Sequence, residues 1–148
     1  FHPGDLDYIH SVERISKLSN VISINGGVQL DLMGQENAES TGTRQLSGVG
    51  GQMDFLEGAY RSKGGKGFIC INSSRVTKDG ERKSNILATI PGGSTISAPR
   101  TMIQYVATEY GIASLSGKTL RERAEAMASI AHPDFREELM KYAQENFK

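Results

Sequence analysis

Three glycines close around one valine in Ser47-Gly48-Val49-Gly50-Gly51-Gln52-Met53-Asp54-Phe55. Glycine tolerates positive φ and lets another molecule approach the main chain, so successive amides can converge on one point and hold an anion. Met53, Leu56 and Tyr60 then follow at helical spacing with acids between them, the pattern of a short helix packed on a core. Glycines at the start of such a helix meet unpaired N–H donors and a partial positive charge, which suits a phosphate, a carboxylate or a developing oxyanion. The run matches neither the Gly-Lys-Ser/Thr phosphate loop nor the spaced dinucleotide fingerprint, and on its own a tight turn explains it equally well.

Glu109, in Thr108-Glu109-Tyr110-Gly111, follows an apolar run and precedes a glycine, where a side chain projects from the end of a sheet into a cleft. A carboxylate there could position a substrate or tune a second acid; it could equally accept backbone N–H groups or pair with Arg100 or Arg121. Ser62-Lys63-Gly64-Gly65-Lys66 reads either as a phosphate cradle or as the glycine-rich C-cap of the preceding helix. His2, His10 and His132 lack metal-ligand spacing, and with one cysteine they give no reason to expect a metal. Cys70, inside Phe68-Ile69-Cys70-Ile71, is expected to be a small buried residue, and it can form no internal disulfide.

These residues need elements to position them. Val12, Ile15 and Leu18 predict a surface helix between Ser11 and Ser19. Val21 to Asn25 and Val28 to Leu32 alternate as strands, and Gly26-Gly27 predicts a two-residue hairpin turn between them. Phe68 to Ile71, Ile86 to Ile90 and Gln104 to Thr108 are short apolar runs that suit the centre of a buried sheet. Thr119 with Glu122 is a capping box, opening a helix with Leu120, Ala124, Met127 and Ala131 on one face. Asp134 with Glu137 predicts the same device for a helix from Phe135 to Phe147 that buries Phe135, Leu139, Tyr142 and Ala143. Val76 to Ser84 reads as a polar turn, and His132-Pro133-Asp134 as the approach to the last helix. The expectation is an α/β fold: mostly parallel strands, flanking helices and a hairpin near the N-terminus.

The chain has 148 residues, 37% hydrophobic and 23% charged, with 17 basic and 17 acidic side chains. That is one globular domain able to bury roughly two-thirds of its unfolded surface, and it has no basic footprint for nucleic acid. No apolar run nears the length of a membrane span, and Phe1-His2-Pro3-Gly4-Asp5 lacks signal-peptide character, so a cytoplasmic location is expected.

Five segments, in order, resemble one family: Gly34-Gln35-Glu36-Asn37-Ala38-Glu39-Ser40, the glycine run, Thr108 to Ala113, Gly117 to Ala124, and Ala131 to Arg136. From Phe1 to Phe147 the chain resembles the C-terminal domain of the acetyl-CoA hydrolase/transferase family, class I coenzyme A transferases with a NagB/RpiA-like fold. The resemblance implies that CoA moves between an acyl-CoA and a carboxylate such as acetate through a glutamyl-CoA thioester. It implies Gly51 as an oxyanion-hole donor, Glu109 as an auxiliary active-site residue, and Ser47, Gly50, Gly51 and Lys78 as CoA contacts. CoA is then substrate rather than tightly bound cofactor.

In the family the nucleophilic glutamate lies just upstream of the segment matching Phe1-His2-Pro3, so residues 1–148 are expected to be an incomplete site that works with an upstream domain, in a homo-oligomer. Glu13, Glu36 and Glu39 are not promoted to nucleophile. His10 stands where many relatives carry an active-site asparagine, and Asp54 is expected to orient the glycine loop. A non-catalytic acyl-CoA or nucleotide-binding module is the alternative.

Overall fold

The computed structural model describes residues 3–147; Phe1, where the resemblance starts, and His2 lie outside the described residues. Two short helices come first, α1 (Leu6–Ile9) and α2 (Val12–Lys17). The predicted surface helix is therefore shorter than its periodicity suggests. The Ser11 hydroxyl accepts from the Arg14 amide and starts α2, Leu18 is already extended, and Ile15 is its buried residue. Five strands follow, β1 (Ile22–Gly26), β2 (Gln29–Asp31), β3 (Glu36–Asn37), β4 (Ser40–Thr41) and β5 (Arg44–Gln45), and then α3 (Gln52–Arg61). Next come β6 (Lys66–Cys70), β7 (Ser74–Val76), β8 (Arg82–Ser84), β9 (Ile86–Leu87), β10 (Tyr105–Thr108) and β11 (Gly111–Ser114). Helices α4 (Leu120–Ser129) and α5 (Pro133–Asn146) complete the described residues.

The main sheet has the order β1-β6-β10-β11, with β1, β6 and β10 parallel and β11 antiparallel at one edge. Ile69, Val106 and Ala113 point to one face and pack with Leu56 of α3 and Ala124 and Met127 of α4 into the core. At Gly67 a Cβ would stand 3.0 Å from Leu56, so the bare backbone of β6 lets α3 lie close. A second, smaller sheet, β3-β2-β9, pairs β2 parallel to β9 and antiparallel to β3.

The predicted hairpin does not form: β1 and β2 belong to different sheets. Gly26 continues β1 opposite Cys70, and neither Gly26 nor Gly27 has a positive φ. Gly27 is needed for its size instead, because a Cβ there would meet Glu36 Oε1 at 2.9 Å and Ile69 at 3.1 Å. The extended stretches were legible, but β2 is buried at all three positions rather than alternately, and the partner of each strand was set by packing. For the same reason Ile86 lies in the second sheet rather than at the centre of the main one.

Gly64, at φ +76°, and Gly65 form the turn that ends α3, which settles Ser62–Lys66 as a helix C-cap. The Thr119–Glu122 capping box is present, although Leu120 in its first turn is exposed. The device expected at Asp134 is absent. Pro133 occupies the first helical position of α5, and the His132 ring accepts from the Asp134 amide, because a proline's fixed φ and missing N–H favour that position. Leu139 and Ala143 of α5 are buried, with Phe135 and Tyr142 half-buried.

Arg123 of α4 is only 8% exposed, and its guanidinium donates to the carbonyls of Met33 at 2.9 Å, Leu115 at 2.8 Å and Arg100 at 2.8 Å. It joins the loops after β2, after β11 and before β10. Burial and the neighbouring Arg100 lower its pKa, opposed by Asp31.

Candidate active site

The parallel strands β1, β6 and β10 end together at Gly26, Cys70 and Thr108, the side on which α/β sheets open their ligand crevices. A cleft of about 420 Å³ lies there, lined by Gly27, Cys70, Ile71, Asn72, Ala107, Thr108 and Glu109. A larger concavity of about 580 Å³ lies along α1 and α2, but its one carboxylate, Glu13, is already paired with Lys17.

Glu109 stands at the cleft rim, one residue past β10. Its Oε1 accepts from the Ser73 hydroxyl at 2.5 Å and its Oε2 from the Ser73 amide at 2.9 Å. Desolvation pushes the Glu109 carboxyl up, but these two bonds, its own amide and the nearby His132 outweigh it and leave the group below the ordinary carboxylate range. Glu109 is therefore an anion that accepts hydrogen bonds at neutral pH. Among the described residues it pairs with neither Arg100 nor Arg121. Cys70, expected inside the core, is exposed at this cleft.

The glycine run leads into α3 at the same end of the sheet. Gly51 is the N-cap of α3, no side chain caps that helix, and Gly50 takes φ +61°. No carbonyl or side chain among the described residues accepts from the amides of Gly48, Val49, Gly50 or Gly51. Ser47 to Gly50 are exposed and Gly51 is half-buried. The Ser47 amide, by contrast, is held by the Glu39 carbonyl at 3.2 Å, beside the Leu46 amide on the same oxygen.

His10 packs against this loop. Its Nδ1 is 3.2 Å from Asp54 Oδ2, its ring meets Phe55 edge-on at 5.2 Å, and a Cβ on Gly51 would overlap it. Lys78 is exposed at the tip of the β7–β8 hairpin, which starts right after Ser73. Among the described residues no hydrogen bond or ion pair joins Lys78 to the glycine loop or to Glu109.

Sequence reasoning passed over the support beneath the loop. Glu36 is fully buried; its Oε2 accepts from the Gln52 side chain, and its Oε1 has no partner among the described residues. Burial pushes the Glu36 carboxyl up to about 8, the Glu39 carboxylate adds to this, and the bond from Gln52 offsets only part. Glu36 thus holds a proton at neutral pH. Glu39 accepts from Ser97 Oγ at 2.6 Å and from Gln45 at 3.3 Å, while Asn37 Oδ1 accepts from the Glu39 and Ser40 amides. The signal was in the sequence: Glu36, Asn37 and Glu39 crowd a short stretch after β2, and Gln52 directly follows Gly51.

Through Gln52, Glu36 and Gly27, the start of α3 is joined by contact to the cleft that Glu109 borders. The arrangement offers unpaired backbone donors, an ionised carboxylate and a buried, proton-holding one at one end of a parallel sheet.

Known proteins resemble this chain in sequence and in fold. The family model for the acetyl-CoA hydrolase/transferase C-terminal domain matches residues 2–143. The butyryl-CoA:acetate CoA-transferase of Anaerostipes caccae is 47% identical over 139 residues, covering 94% of this chain and 31% of that protein. The 4-hydroxybutyrate coenzyme A transferase of Clostridium kluyveri is 48% identical over 142 residues, covering 96% and 32%. Among solved structures, RipA from Yersinia pestis superposes with a TM-score of 0.82 at 40% identity, over 94% of this chain and 30% of that one. A 4-hydroxybutyrate CoA-transferase from Porphyromonas gingivalis superposes with 0.74 at 40% identity, over 95% and 30%. The chain spans about a third of the length of the curated relatives it matches. With a family model over nearly its whole length and relatives of the same fold, this chain belongs to the acetyl-CoA hydrolase/transferase C-terminal domain family.

Proposed function

We propose that this chain is the C-terminal part of a CoA-transferase of NagB/RpiA-like fold, supplying one side of a site that moves coenzyme A between an acyl-CoA and a carboxylate such as acetate. The observation that carries the reading is the row of amides from Gly48 to Gly51 without protein acceptors, at the uncapped start of α3 and the cleft-bearing end of the sheet. In this reading a glutamate from the rest of the polypeptide attacks the thioester carbonyl, and the Gly51 amide donates to the oxygen that becomes negative. The CoA thiolate leaves, giving a mixed anhydride, and then attacks the glutamyl carbonyl, releasing the first carboxylate and leaving a glutamyl thioester. The acceptor carboxylate reverses these steps. Ser47 and Gly50 contact CoA, Lys78 offers a cation to its phosphates, and ionised Glu109, which can accept but not donate, tunes the nucleophilic glutamate by like-charge proximity. Hydrolysis is the same glutamyl intermediate lost to water.

The test uses the full-length gene product. Incubation with an acyl-CoA followed by borohydride should reduce one glutamate and abolish acyl-CoA:acetate exchange, with no effect when the acyl-CoA is omitted. Gly51→Ala, whose Cβ overlaps His10, should displace the amide and slow exchange on the order of 10²-fold. Binding of CoA with neither exchange nor a reducible glutamate would reject the transferase in favour of a binding module.

A further inference from the structure

Parallel strands are found buried on both faces, because each crossover lays a helix against the sheet. Here α3 and α4 cover one face of the main sheet. The register brings Ile22 and Ile24 of β1, Phe68 of β6, Tyr105 and Ala107 of β10 and Ile112 of β11 together on the other. Ile22, Ile24 and Ile112 are 61%, 69% and 64% exposed, beside a Phe68–Tyr105 stack at 4.9 Å. Within these strands Lys66 is the one charged side chain the register assigns to that face. The outer strand, Ile-Ser-Ile-Asn-Gly, also carries no proline or lysine to guard its edge.

We infer that this open face is an internal interface, covered in the whole protein by an apolar layer of the same polypeptide from outside these 148 residues. The inference rests on the reading that the chain is one part of a longer transferase. Its relatives are about three times as long, so same-chain material exists there to cover such a face. A face with one charge offers little to steer a transient partner, and resembles the core cut in half that permanent contacts bury.

The test places p-benzoylphenylalanine, in separate variants of the full-length gene product, at Ile24 and at Ile112. Irradiation should join each position to a peptide of the same polypeptide outside the 148 residues, at monomer mass. A link between two copies, a link to another protein, or a link confined to the 148 residues overturns the inference. Hydroxyl-radical footprinting of the unsubstituted protein guards against a misfolded variant. Oxidation of Ile22, Ile24 and Ile112 should drop to the level of core Leu30, and oxidation at the level of exposed Leu6 would overturn the interface. Neither readout needs turnover. An inactive protein with the intramolecular link loses the transferase reading alone; an active one with an exposed Ile24 loses the interface alone.

Discussion

Glu36 shows how one side chain can set the conditions for its neighbours. A carboxyl whose folded pKa is raised to about 8 keeps a proton that the unfolded chain releases near 4.5. Its contribution to stability is therefore complete below about pH 4.5 and declines as pH rises, levelling off above pH 8, with a slope of at most about 1.4 kcal/mol per pH unit. Glu36→Gln, the isostere of the protonated acid, should abolish that component. Urea melts between pH 5 and 9 should give curves that separate with rising pH, the variant being the more stable on the alkaline side; parallel curves would refute a proton on Glu36. Glu109 behaves oppositely, since the Ser73 hydroxyl and amide keep it ionised. Two acids near one cleft thus hold different protonation states. Their types were legible in the sequence but their roles were not, because burial and hydrogen-bond partners, which decide pKa, are properties of the packed chain.

At the scale of elements, α3 links the glycine loop to the sheet, and its position depends on what it lacks. A Cβ on Gly58 would overlap Ile15 of α2. Gly58→Ala should thus force α2 off α3 and cost about 1–3 kcal/mol despite alanine's better helix propensity, measurable as a lower urea midpoint with unchanged slope. A gain in stability would mean the two helices are not in tight contact. The helical stretches, the Thr119 capping box and the strands β6 and β10 could be read directly, since each rests on local period or a four-residue signature. The hairpin could not. Gly26-Gly27 carries a strong turn signal, but β1 gains more from a parallel partner across the sheet, and the glycines serve close packing against Glu36 and Ile69. Likewise Pro133 displaced Asp134 as the start of α5 because proline takes the first helical position.

At the scale of the whole molecule, the main sheet and the β3-β2-β9 sheet share one buried cation. Arg123 reaches loops from both sheets with a rigid fork that lysine does not have. Arg123→Lys keeps the charge and should still lower the unfolding free energy by roughly 2–4 kcal/mol through lost charge-assisted bonds, read from chemical denaturation; an unchanged value would show that the fork is dispensable. That the chain is α/β and belongs where its five segments pointed was readable from the sequence, whereas the open face of the main sheet was not, because exposure depends on which neighbours are folded around a strand. A guanidinium does not shed its proton in water that a protein tolerates, so alkali cannot unfasten this joint. A rise in pH is then answered by the carboxyl beneath the glycine loop and a fall by Glu109, retuning the ground under the donors while the guanidinium fork keeps its charge.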